Sequence, residues 1–99
     1  MPRSKNYRDE LIEDLKDPSE AAEYLNAALE DEDPEVFLLA LRDVAEAHGG
    51  MTRLSEMTKL NRENLYKMLS KKGNPELHSL GTLLHALGLR LAVKVRKAS

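Results

Sequence analysis

The 99-residue sequence predicts an all-α protein with a single core. Two Asp-Pro pairs, at residues 17–18 and 33–34, are typical of helix starts, because Asp accepts from free amides and Pro fits the first helical turn. Apolar residues recur at intervals of three and four over most of the chain, which is the helical period. A chain of this length has room for one domain with a modest core.

Three helices are predicted in the first half of the chain. The first covers residues 7–15, where apolar side chains fall at helical spacing before the first Asp-Pro pair. The second covers residues 18–30, with Asp17 as its cap and Glu20 placed to complete a capping box. The third covers residues 34–48 and ends before a Gly-Gly pair.

Two shorter helices, residues 51–58 and 62–70, are predicted with the spacing of a helix-turn-helix motif. Asn61 is placed to cap the second of them. Lys59 stands where glycine is usual in such a turn, and a left-handed backbone there costs about 1 kcal/mol, so the turn is open to another geometry. The side chains expected to meet between the two helices are Leu54, Leu60, Leu65 and Met68.

The C-terminal part predicts a sixth helix and a short β-strand. A turn at residues 73–75 precedes a helix that has Gly88 as its C-terminal cap. Residues 89–96 then alternate between two faces, one of them mainly basic, which is the period of a strand. A lone strand has no partner in this chain, so it could pair with another chain or pack one face on the helices.

The net charge of −2 hides two halves of opposite sign. Residues 1–48 hold five Lys/Arg and fourteen Asp/Glu, a net charge of −9, whereas residues 49–99 hold ten and three, a net charge of +7. A basic half can approach the phosphates of nucleic acid, and an acidic half can attract a basic partner. The simpler alternative is that charged residues on solvent-exposed helix faces are unevenly distributed between the two halves by chance.

The second helix of the helix-turn-helix segment is the candidate for reading DNA bases. Arg62 and Lys67 are the first candidates, since Arg recognises guanine through paired hydrogen bonds. Glu63 is placed to accept from cytosine or to orient Arg62. The same helix and its start also present Asn61, Tyr66 and Ser70. Candidates for phosphate contacts, which set register without reading sequence, are Thr52, Arg53, Lys71 and Lys72. An ordinary solvated helix position is the alternative for each.

Composition argues against several other kinds of site. With no cysteine there is no disulfide and no thiolate metal site, which fits a reducing cytoplasm. The carboxylates are spread over helix faces without a Ser/His/Asp arrangement, which argues against an enzyme. The sequence has no signal peptide and no apolar run of about 18 residues, so we expect a cytoplasmic protein. We expect no metal or cofactor, because three histidines lack paired ligand spacing and suit surface or capping positions: His48, His78 and His85.

Five segments together resemble the addiction-module antidote proteins, which are antitoxins within the lambda-repressor-like (Xre/Cro) superfamily of regulators. These segments are DPSEAAEYLNAAL (17–29), LLALRDVAEAHGG (38–50), NRENLYKML (61–69), GNP (73–75) and LHALGLRL (84–91). The resemblance covers nearly the whole chain. It implies a five-helix DNA-binding domain, repression of the protein's own operon and neutralisation of a small RelE/ParE-like toxin encoded beside it.

Two kinds of partner are expected besides DNA. Such toxins are typically basic, so the acidic half offers a docking surface. The candidate toxin contacts are Glu20, Glu23, Glu30, Asp31 and Glu32. A two-fold operator implies a homodimer whose reading helices lie about 34 Å apart on the duplex, and the C-terminal strand and the helix before it are the expected interface.

We therefore divide the chain into an acidic helical extension, residues 1–32, and a helix-turn-helix domain with a C-terminal strand, residues 33–99, which form one compact unit. Two alternatives stay open. One is a stand-alone phage-type transcriptional repressor without a toxin. The other is a protein-interaction adaptor that keeps the fold but no longer binds DNA, to which Lys59 and the negative net charge point.

Overall fold

Six α-helices follow one another in the computed structural model, which describes residues 6–70 and 72–97. They are α1 (Tyr7–Asp14), α2 (Pro18–Leu29), α3 (Pro34–Ala47), α4 (Gly50–Thr58), α5 (Arg62–Met68) and α6 (Leu77–Ala86). All six helices that the sequence predicts are present, and their ends lie close to the expected positions. In the described ranges no helix is long and apolar enough to cross a membrane, and the longest, α3, has 14 residues.

The starts of α2 and α3 are fixed locally, as the two Asp-Pro pairs predict. The carboxylates of Asp17 and Asp33 each accept a hydrogen bond from the amide two residues further on, at 3.0 and 2.9 Å. The capping box expected at Glu20 is not formed, because the Asp17 amide donates instead to the carbonyl oxygen of Asp14, at 3.1 Å. The Asp17 amide is therefore engaged in the preceding turn and does not donate to the Glu20 carboxylate.

One core joins the two oppositely charged halves, with α3 packed against α1, α2 and α4 and with α4 packed against α5 and α6. Helix α1 has no fully buried residue and lays Leu11 and Ile12 against this core. Burying a leucine side chain stabilises a fold by about 1.5–3 kcal/mol. The most deeply buried leucines come from both halves: Leu15, Leu41, Leu54, Leu65, Leu69, Leu83 and Leu87.

Polar contacts add to the packing of α1 and α2 on α3. Arg8 forms ion pairs with Asp43 and Glu46, at 3.0 and 2.7 Å, and the hydrogen bonds to these carboxylates raise the pKa of the guanidinium. The Tyr24 hydroxyl donates to the second oxygen of Asp43 at 2.6 Å. Burial, assisted by this hydrogen bond, raises the pKa of Tyr24 to about 12. Asp43 is therefore the point where α1, α2 and α3 meet.

The C-terminal end differs from its prediction. Gly88 adopts the left-handed conformation (φ 82°) expected of a helix cap, and the next amide, that of Leu89, donates back to the carbonyl of Leu84 at 2.8 Å. Beyond this cap, residues 89–97 form neither helix nor strand, and the described chain contains no β-strand. The predicted strand is thus wrong for the single chain, because a strand needs a ladder partner that this chain does not supply.

Candidate nucleic-acid interface

Helices α4 and α5 lie next to one another across a short connection, residues 59–61. Leu54 from α4 and Leu65 from α5 are completely buried, Met68 is buried beside them, and Leu60 packs against the same cluster from the connection. The small shared core predicted for this segment is therefore formed. It fixes the two helices relative to each other and leaves their polar faces outward.

The connection adopts the left-handed turn in spite of its lysine. Lys59 has φ 63° and ψ 12°, and it is the one non-glycine residue with positive φ in the described ranges. Its amide donates to the carbonyl of Ser55 at 2.9 Å. The Thr58 hydroxyl donates to the carbonyl of Leu54 and accepts from the amide of Leu60, at 2.6 and 3.1 Å. These bonds hold a conformation that costs Lys59 about 1 kcal/mol.

Helix α5 begins at the predicted cap. The side-chain oxygen of Asn61 accepts from the Asn64 amide at 2.7 Å, which confirms the capping role. The outer face of α5 is exposed, and the aromatic ring on it, Tyr66, has 54% of its surface open to solvent. The exposed candidates on α5 and just after it are Arg62, Glu63, Tyr66, Lys67 and Ser70.

The candidates for phosphate contacts lie at both ends of this unit. Thr52 and Arg53 are exposed on α4, and Lys72 is exposed after α5, whereas Lys71 lies outside the described residues. The stem of Arg53 folds over Gly49, where a Cβ atom would stand only 2.6 Å from the arginine Cδ. Gly49, with φ 103°, therefore gives both the backbone turn before α4 and the space for this arginine.

Among the described residues, the basic side chains of this surface form no ion pairs within the protein. In residues 6–70 and 72–97, the three ion pairs involve only Arg8 and Lys16, both in the acidic half. Arg62 therefore has no ion pair with Glu63, and Lys67 has no carboxylate partner within this part of the chain. Exposed cations without partners suit binding to a polyanion, since no internal contact has to be broken.

Sequence reasoning missed the polar cleft beside Lys67. The cleft has a volume of about 240 Å³ and brings residues from the turn after α5 and the start of α6 next to α5. Asn64 and Asn74 line it, and both can donate to phosphate or to base edges. The signal in the sequence was the GNP turn at residues 73–75, which places Asn74 between α5 and α6.

The acidic candidates form a second surface on α2 and the segment after it. Glu20 and Glu23 are three residues apart and Glu30 is seven further on, so all three share one helical face, and all are exposed. Asp31 and Glu32 follow in the connection to α3, where the Asp31 carboxylate accepts from the amide of residue 33 at 2.9 Å.

A further acidic cleft on α1 was not anticipated. Its volume is about 530 Å³, and it is lined by Tyr7, Glu10, Leu11, Glu13, Asp14 and Tyr24. The signal in the sequence was the set of acidic residues interspersed with apolar ones in the first helix. His48 is the C-terminal cap residue of α3, and its Nε2 atom is buried without a hydrogen-bond partner among the described residues, whereas His78 and His85 are exposed on α6.

These features define a small all-helical protein with one core and two surfaces of opposite charge. Residues 6–95 match a protein family described as "Probable addiction module antidote protein". An "Uncharacterized protein" of Haemophilus influenzae is 34% identical over 85 residues, which are 86% of this chain and 87% of that protein. Comparison with solved structures gives no match. The chain belongs to the family of probable addiction module antidote proteins.

Proposed function

We propose that this protein is the antitoxin of a type II toxin–antitoxin module, that it binds the operator of its own operon as a homodimer, and that it neutralises a RelE/ParE-like toxin. The family supports an antidote, which implies a toxin partner and a regulatory protein instead of an enzyme. The finer proposal depends on one observation. Helix α5, capped by Asn61, carries exposed cations that have no carboxylate partner in the described chain.

In this proposal α4 and α5 act as a helix-turn-helix motif. Helix α5 enters the major groove with Arg62 at its first turn, placed for the two acceptors of guanine, and with Lys67 five residues further along the helix. Arg53 and Lys72, at the two ends of the unit, bind phosphates and set the register. The net charge of −9 on residues 1–48 keeps that half away from the duplex and turned toward a basic partner.

DNA binding is tested by fluorescence anisotropy with DNA from directly upstream of the gene, at several salt concentrations. We expect tight binding that weakens steeply with salt, and a loss of at least about tenfold in the variant Arg62→Ala/Lys67→Ala. The matched control is Lys16→Ala/Arg42→Ala, which removes the same charge from exposed positions of the acidic half. Equal affinity for random DNA, unchanged in the first variant, contradicts the proposal and favours the adaptor.

Toxin binding is tested with the protein encoded beside this gene. Deleting residues 1–32 would remove Ala21, Leu25 and Ala28 from the core, so charge reversal at the surface is the cleaner experiment. We expect Glu20→Lys/Glu32→Lys to weaken the complex at least about tenfold through lost charge complementarity. The control Glu56→Lys/Glu76→Lys changes the same charge in the basic half. Equal affinity of both variants contradicts the acidic docking surface, whereas a neighbouring gene that encodes no toxin favours the stand-alone repressor.

A further inference from the structure

The C-terminal segment, residues 89–97, presents an apolar surface that the single chain does not cover. Val93 is fully exposed, Val95 is 94% exposed and Leu91 is 46% exposed. Among the described residues, the last backbone hydrogen bond of the chain is the one from the Leu89 amide to Leu84. Beyond it, β-branched side chains and unpaired backbone groups both face solvent, which is the situation of an unprotected strand edge.

This segment borders an open groove against α2. The groove has a volume of about 690 Å³. The helices contribute apolar lining residues, among them Leu25, Leu29, Phe37 and Leu84, and also the polar residues Glu23, Asn26 and Glu30. Leu29 is 58% exposed, although Leu25 and Ala28 on the same helix are buried. The chain therefore forms an apolar groove without filling it, next to an apolar segment without burying it.

The charges of groove and segment are opposite. Glu23 and Glu30 lie on the α2 wall, whereas Arg90 and Lys94 lie on the side of the segment. Residues 88–97 carry four cations and no carboxylate. Within the described chain none of these carboxylates is paired with a cation of the segment. The segment thus matches the groove in both apolar surface and charge. Within the single chain, however, its valines stay exposed and its cations form no ion pair with Glu23 or Glu30.

We propose that a second copy of this chain fills the groove: residues 90–97 of each copy lie across the groove of the other, and the two segments run antiparallel as a two-stranded sheet. A two-fold axis satisfies both sites at once, as in an isologous dimer. The alternate side chains of each segment then separate, with the valines buried against the partner's groove and the cations beside Glu23 and Glu30. The strand that the sequence predicts forms only in the dimer.

The proposal rests on the homodimer of the proposed function but is tested without DNA or toxin. If the chain dimerises through this groove and binds no operator, only the proposed function fails. If it binds an operator and the groove is not used, only this interface fails. The interface also takes Glu23 and Glu30 out of the surface available to a toxin and leaves Glu20, Asp31 and Glu32.

A charge-swap experiment distinguishes this interface from any other. We expect the full chain to sediment at twice its mass of 11.1 kDa at micromolar concentration. Glu23→Lys/Glu30→Lys and Arg90→Glu/Lys94→Glu should each raise the dimer dissociation constant at least about tenfold. An equimolar mixture of the two variants should restore the dimer, because the basic segment of the first meets the acidic groove of the second and the acidic segment of the second meets the basic groove of the first.

A second variant tests the apolar contact. Val93→Asp/Val95→Asp should abolish the dimer and leave the melting of the monomer unchanged, since both side chains are solvated in the single chain. Tyr7→Asp, at a side chain 90% exposed on α1, is the control and should leave the dimer intact. A monomeric wild-type chain overturns the proposal, as do charge-swap variants that dimerise as tightly as the wild type. A monomer whose toxin binding is lost in the valine variant assigns the groove to the toxin instead.

Discussion

In the acidic half, residues 6–48, charged side chains contribute to the fold itself: Asp17 and Asp33 cap helices, and Arg8 joins α1 to α3 through Asp43 and Glu46. In residues 49–70 and 72–97 no cation forms an ion pair. Charged side chains therefore have different roles in the two regions. Where charges are engaged internally they stabilise helix ends and contacts, and where they are left open they are available to a ligand.

The largest expected effect tests whether the two halves are one folding unit. Leu41→Ala in α3 and Leu54→Ala in α4 each remove a completely buried side chain, and each should lower the free energy of unfolding by about 2–5 kcal/mol. Urea unfolding followed by circular dichroism should show one transition with an unchanged slope for both variants. Leu77→Ala, at a side chain 74% exposed, is the control. Two separate transitions would show that the halves unfold independently.

A smaller effect is expected at the turn between α4 and α5, in the basic half. Lys59→Gly removes the strain of a left-handed backbone and should raise the free energy of unfolding by up to about 1 kcal/mol. Lys59→Ala keeps the strain and should give no gain. Chemical denaturation measures both variants. A glycine variant no more stable than the alanine variant would mean that the turn relaxes out of the left-handed region.

A further effect is expected in the acidic half at high pH. The pKa of Tyr24 is raised to about 12, so the folded state binds its proton more tightly than the unfolded chain, whose tyrosine pKa is 10.0. The stability from this group is complete below pH 10 and is lost as the pH rises from 10 to 12. Tyr24→Phe should lose less stability over this window than the wild type does. In an absorbance titration, one of the three tyrosines should ionise near pH 12 and disappear in this variant.

Much of the fold could be predicted because helix ends are decided by neighbours in sequence. Asn61 caps α5 through an amide three residues away, and Gly88 ends α6 through its own left-handed backbone. The pattern at Glu20 misled because a capping box was inferred from residue types alone. The competing carbonyl of Asp14 belongs to the preceding turn, whose position relative to Asp17 the residue pattern does not show.

The six helices, the division of charge and the polar face of α5 could be predicted from the residues alone, since periodicity and capping act over three or four residues. Which charged side chains form ion pairs, in contrast, depends on how the helices pack. Arg8 contacts Asp43 and Glu46 across separations of 35 and 38 residues, and the groove beside residues 89–97 is lined by residues that the fold brings together from α2, α3 and α6. Contacts between distant residues depend on how helices pack, and that arrangement follows from the whole core at once.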